Sequence, residues 1–194
     1  MTAAGSGGTT GAPAAGAAAG AVGSGSGLAG RFEGRCWTFG DNIPTDQLVK
    51  SRYVFDPMDE IVKHVLEDLD PEFPHAVRPG DIVVAGRHFG QSSGRAIATK
   101  ALQATRIGCV VAETFARTFY RNCFEIGLPA LEAEGVTALA RKGDPLTVDI
   151  TTGLVTNTAT GETCSGRPAD PFLIDMLAAG GLIALAEQRP ELFG

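Results

Sequence analysis

The chain has 194 residues, 44% of them apolar, and 22 acidic against 16 basic side chains leave a net charge of −6 and an isoelectric point near 5.0. This is enough chain for one domain with a substantial core. No basic stripe with interleaved aromatics invites nucleic acid, and no apolar run reaches the roughly 18–20 residues of a membrane span. Residues 1–30 are almost wholly Ala, Gly, Ser and Thr, with no charge before Arg31. Such a segment buries too little to offset its conformational entropy, so a disordered tail is expected there. It also lacks the basic start and apolar core of a secretory signal. The folded domain is expected over residues 31–194.

Within that domain a short strand is expected over residues 35–39, followed by a loop over residues 40–46. Residues 56–69 place Met58, Ile61, Val62, Val65 and Leu66 on one helix face, and the Pro71–Pro74 stretch breaks the pattern. Residues 82–85 form an apolar run that reads as a buried strand. A Gly- and Ser-rich turn leads from it into a helix over residues 95–104. A second buried strand over residues 109–112 precedes a helix over residues 114–126, which Gly127 closes. Residues 128–131 form another short strand. Residues 146–151 and 154–157 alternate around Gly153 as a hairpin. Asp170 and Pro171 supply an N-cap and a first helical position for a helix over residues 171–188. Strands and helices mixed in this order imply an α/β domain, and no internal repeat interrupts it.

The turn after the first buried strand, residues 86–98 (GRHFGQSSGRAIA), carries the most chemistry. A glycine- and serine-rich strand–helix connection exposes backbone N–H groups and hydroxyls at the positive end of a helix dipole, which suits a carboxylate or phosphate. Arg95 adds a guanidinium able to grip a carboxylate through two hydrogen bonds. Read from these residues alone, the segment is either an anion cradle or simply a tight connection. Cys36, Cys109, Cys123 and Cys164 are far apart and form no C-x-x-C, and His64, His75 and His88 do not cluster with them. That spacing suits neither a metal site nor a disulfide framework, and a reducing cytoplasm is the expected compartment.

Three blocks in order resemble the small subunit, or swivelling domain, of the aconitase and isopropylmalate dehydratase superfamily. The family's loop G-x-N-F-G-C-G-S-S-R-E-H-A aligns without a gap on residues 86–98, keeping Gly86, Phe89, Gly90, Ser93, Arg95 and Ala98. Residues 40–48 (GDNIPTDQL) resemble G-D-N-x-D-T-D-x-I, with Pro44 in place of the first aspartate of D-T-D. Residues 114–128 (TFARTFYRNCFEIGL) resemble S-F-A-x-I-F-x-R-N-x-x-N-x-G-L, with Glu125 in place of an asparagine.

The resemblance implies a β/β/α swivelling fold and a hydro-lyase that removes and re-adds water at an alkylmalate-type hydroxy acid. It implies a large-subunit partner that carries the 4Fe–4S cluster, with no cofactor on this chain. Ser93 aligns with the serine that takes the substrate proton, although a serine here also suits a helix cap. Asp46 aligns with an aspartate that orients an acid on the large subunit. Arg95 aligns with a carboxylate clamp, and Ser92, Gly94 and Thr45 complete the expected substrate-binding loops. Arg121 and Asn122 are expected to brace the loop from below. Gly94 replaces the family's second serine and its hydroxyl, Gln91-Ser92 replaces Cys-Gly, and Ala96-Ile97 replaces Glu-His. In relatives a short segment after the D-T-D loop selects the substrate. Here it reads Tyr53-Val54-Phe55-Asp56, and Phe55 offers an apolar contact for an alkyl group. The alternatives are another substituted malate (dimethylmalate, citramalate or homoaconitate type) or a non-catalytic anion-binding module of the same fold.

Overall fold

A computed structural model describes residues 30–194 of the chain. The tail expected over residues 1–30 lies outside the described residues, Gly30 apart. Among these residues seven strands make one sheet: β1 (Arg31–Thr38), β2 (Ile82–Ala85), β3 (Cys109–Ala112), β4 (Ala130–Glu132), β5 (Pro145–Asp149), β6 (Leu154–Asn157) and β7 (Thr163–Ser165). Their order is β4-β3-β2-β1-β5-β6-β7, parallel from β4 to β1 and antiparallel from β1 to β7. β1 belongs to both halves. Arg31–Arg35 pairs with β5, and Cys36–Thr38 pairs with β2. The sheet curls until the segment after β7 reaches the opposite edge, where the Arg167 N–H donates to the Glu132 carbonyl at 2.8 Å.

β2 and β3 are buried on both faces, which is why they read as unbroken Val-, Ile- and Ala-rich runs. On one face Val83, Ala85, Val110 and Ala112 pack against the helices. On the other Ile82, Val84, Cys109 and Val111 pack inside the curl with Leu146, Val148 and Val155. Asp81 ties β1 to β2: its Oδ2 accepts from Arg35 Nη2 at 2.8 Å, Trp37 Nε1 at 2.8 Å and the Arg78 N–H at 3.0 Å.

Among the described residues eight short α-helices pack on this frame: α1 (Thr45–Leu48), α2 (Met58–Ile61), α3 (Phe73–Ala76), α4 (Ile97–Ala104), α5 (Arg117–Glu125), α6 (Val136–Leu139), α7 (Pro171–Ala179) and α8 (Leu182–Gln188). The helix expected over residues 56–69 is instead α2 with a 3-10 turn, Val62–His64, after which Leu66 takes φ +58°. Its N–H bonds the Leu48 carbonyl at 3.0 Å, and Val65 and Leu66 are both fully buried. Tertiary burial of two consecutive residues overrides a face pattern that would bury only one side. The helix expected over residues 171–188 bends by 86° between α7 and α8. Gly180 and Gly181 adopt φ +92° and +124° there, and a Cβ on Gly181 would press on the Glu125 carbonyl at the end of α5. α6 and β7 were not anticipated, and α1 and α3 occupy stretches read as loop and break.

Candidate active site

Three loops leave the carboxyl ends of the parallel strands: residues 39–44 after β1, residues 86–96 after β2 and residues 113–116 after β3. Ligand sites of open parallel sheets form at this edge, because the loops there converge while the sheet holds them rigidly. Backbone bonds join the first two loops. Asn42 N–H donates to Arg87 O at 2.7 Å, Gly90 N–H to Ile43 O at 2.8 Å, and Thr45 N–H to Gln91 O at 2.9 Å. Gln91 Nε2 adds a bond to Asn42 O at 2.9 Å. The third loop joins through the Phe89 N–H to Thr114 O at 3.0 Å and the Ala116 N–H to Phe89 O at 2.9 Å. Two residue blocks separated by about forty positions thus become one surface.

That surface holds an open cavity of about 230 Å³, with Gly90 and residues 92–94 on one wall and residues 116–118 on the other. Ser93 lines it, and its Oγ accepts the Arg95 N–H at 3.2 Å. Ser92 and Gly94 line it too. Arg95 does not: it is exposed and lies two residues before α4, whose first residue is Ile97 rather than Arg95. Asn122 Nδ2 donates to Gly94 O at 3.2 Å, bracing the loop from α5, whereas Arg121 is exposed. Ser92 takes φ +81°, the left-handed conformation for which the resembled motif has glycine. Gly90, at φ +79°, sits directly against the Phe119 ring, where a Cβ would collide with it.

Thr45 is buried at the start of α1, and its amide closes the bond to Gln91. Asp46 is exposed beside it. Its Oδ1 accepts from Ser51 N–H at 2.9 Å and Ser51 Oγ at 2.6 Å, and these bonds hold the carboxyl below its ordinary value. Neither residue lines the cavity. Phe55 is 93% exposed, on the turn after the 3-10 segment Ser51–Tyr53, and also lies outside it. Tyr53, at the base of that turn, stacks on His64 with centroids 3.9 Å apart, and His64 Nδ1 pairs with Glu67 at 2.6 Å. Sequence reasoning missed Arg117 and Thr118, which line the cavity opposite Ser93, because they read only as helix positions in the third block. Ser51, which holds Asp46, carried no signal in the sequence.

The aconitase C-terminal domain family matches residues 46–135. The chain is 45% identical over 165 residues to the 3-isopropylmalate dehydratase small subunit 1 of Methanopyrus kandleri, covering 84% of this chain and 96% of that one. It is 40% identical over 159 residues to the isopropylmalate/citramalate isomerase small subunit of Methanocaldococcus jannaschii, covering 81% and 95%. The chain belongs to the 3-isopropylmalate dehydratase small-subunit family. The crystal structure of a 3-isopropylmalate dehydratase from M. jannaschii superposes with a TM-score of 0.77 at 31% identity, covering 84% of this chain and 96% of that one. The curled sheet is therefore the fold of this family, and the family implies a large-subunit partner.

Among the described residues no three His, Cys, Asp or Glu side chains converge as metal ligands. Cys36, Cys109 and Cys123 are buried, and burial pushes their thiols up, Cys36 to about 11.

Proposed function

We propose that residues 31–194 form one face of the active site of a heteromeric hydro-lyase that removes and re-adds water at an alkyl-substituted malate. The cluster is assigned to the large subunit. Ser93 takes the proton from the substrate carbon onto Oγ. A serine hydroxyl does this only when its anionic form is stabilised, and the Arg95 N–H directed at that oxygen supplies one such donor. Arg95 clamps a substrate carboxylate, while Ser92 and Gly94 border it and Thr45 holds the loop pair together. Asp46 orients an acid of the large subunit. Phe55, presented to solvent on an anchored turn, meets the substrate's alkyl group in the assembled enzyme. The observation that carries the reading is Ser93 in an open cavity at the carboxyl edge of the parallel strands, with the Asp46 loop bonded to its own.

The test is co-expression with the large subunit and assay of the purified complex. Ser93→Ala is expected to lower kcat by about 100-fold or more, and Arg95→Lys to raise KM by about tenfold, because lysine lacks the planar fork. Full turnover in Ser93→Ala refutes the assignment. A second substrate, citramalate, is supported by the name of the M. jannaschii relative. Assaying 3-isopropylmalate and citramalate side by side decides between them. No bonded cysteine pair exists among the described residues, which supports the cytoplasm as the compartment. No single helix there is long and apolar enough to cross a membrane, and neither nucleic acid nor a membrane enters the proposal.

A further inference from the structure

The cavity wall opposite Ser93 consists of residues 116–118, and two of its side chains, Arg117 and Thr118, carry polar groups. Both are exposed at the start of α5. Among the described residues, neither the Arg117 guanidinium nor the Thr118 hydroxyl has a hydrogen-bond or ion-pair partner. Each is free to serve a ligand. Gly94 faces them: a Cβ built there would meet Thr118 Cγ2 at 3.2 Å. The side-chain space of residue 94 is therefore the space beside Thr118.

Two departures from the resembled blocks meet at this contact. The loop has Gly94 where the blocks have a serine, and α5 has Thr118 where they have isoleucine. A hydroxyl is lost from the loop, and one is gained on the helix, on the residue whose methyl Cγ2 would lie 3.2 Å from a Cβ at position 94. We infer that Thr118 supplies the hydrogen-bond donor missing at Gly94 and that, with Arg117, it forms the seat for the second carboxylate of a substituted malate. A dicarboxylate needs two anion-binding groups far enough apart to span its carbon chain. Arg95, in the loop before α4, and Arg117, at the start of α5, come from different segments of the chain, so each can serve one carboxylate. The Thr118 O–H donates to a carboxylate oxygen and Arg117 balances its charge, so the pair binds substrate without moving a proton. This assignment rests on the proposed hydro-lyase reading and adds to it.

The experiment uses the complex with its large subunit and 3-isopropylmalate. Thr118→Val keeps the shape of the side chain and removes only the hydroxyl. It is expected to raise KM about tenfold while kcat changes less than threefold, the signature of binding lost equally from ground and transition states. Arg117→Gln is expected to raise KM at least as much. In the double variant Gly94→Ser/Thr118→Val the hydroxyl returns from the loop, and KM is expected to recover to within about threefold of the parent. A merely structural role for Thr118 would not be rescued by a hydroxyl on another element. Unchanged KM in both single variants overturns the inference, as does a raised KM in Thr118→Val that the added serine fails to lower. Ser93→Ala separates the two readings. If it loses turnover while Arg117→Gln and Thr118→Val keep the parent KM, only this seat is wrong. Full turnover in Ser93→Ala removes the hydro-lyase reading as well.

Discussion

Ser92 and Gly90 show how much local strain the loop holds. Ser92 adopts φ +81°, where an L-residue other than glycine pays roughly 1–2 kcal/mol. Ser92→Gly relieves that cost but adds unfolded-state entropy, so a net gain of about 0.5–1 kcal/mol is expected in urea unfolding. A loss would show that the serine side chain holds the turn. Gly90→Ala has the opposite sign. Its φ is +79° and its Cβ would enter the Phe119 ring, so about 2–4 kcal/mol of destabilisation is expected from backbone strain and overpacking together. The second and third glycine positions of the resembled motif now have a physical reason: position 92 provides a left-handed turn, and position 90 a close approach to an aromatic ring as well.

At the scale of elements, buried polar groups pin strands and short helices where the apolar pattern alone leaves latitude. Asp81 is 4% exposed and serves β1, β2 and the turn before β2 with one oxygen. Asp81→Ala strands the buried indole N–H of Trp37, while the partly exposed Arg35 keeps its bond to the Ala76 carbonyl, and about 1–3 kcal/mol of lost stability is expected by thermal or denaturant unfolding. Glu113 caps α6. Burial alone would raise its carboxyl, but bonds from the Thr137 hydroxyl and from the Gly135 and Thr137 amides outweigh this and hold it low. A carboxyl lower in the folded than in the unfolded state stabilises above its unfolded value and loses that contribution as pH falls through the folded one. Stability is therefore expected to decline below about pH 4.3 in the parent, and Glu113→Gln to flatten that slope. An unchanged slope would mean that the cap carries no net charge preference.

At the scale of the molecule, the curl of the sheet decides what is accessible. Cys36 and Cys109 lie in the inner core, Cys123 lies between α5 and the sheet, and Cys164, on edge strand β7, is half-buried. A thiol reagent at neutral pH is expected to modify Cys164 first and the other three only on unfolding, and rapid modification of more than one thiol in the native protein would contradict this packing. The same curl brings β1 into both halves of the sheet, so its second half sends the Asp46 loop to the edge that also receives the β2 and β3 loops.

The strands β2 and β3, the helices α4 and α5 and the loop over residues 86–98 that forms one wall of the cavity were legible in the chain itself. Apolar runs, glycine punctuation and three ordered motif blocks are local features, and local features survive in a linear string. The break in the helix over residues 56–69 and the bend at Gly180-Gly181 were not legible, because each is set by a partner distant in sequence, Leu48 and Glu125 respectively, and β7, which pairs with its neighbour β6, has only three residues, too few to show a period. The candidate site divides in the same way. One wall of the cavity is the loop that the sequence singled out, whereas the opposite wall, Arg117 and Thr118, exists only because β2 and β3 lie side by side and direct their exits to one place. Burial and pairing energies choose among the arrangements that local preferences allow, and those energies depend on contacts that no window along the sequence contains.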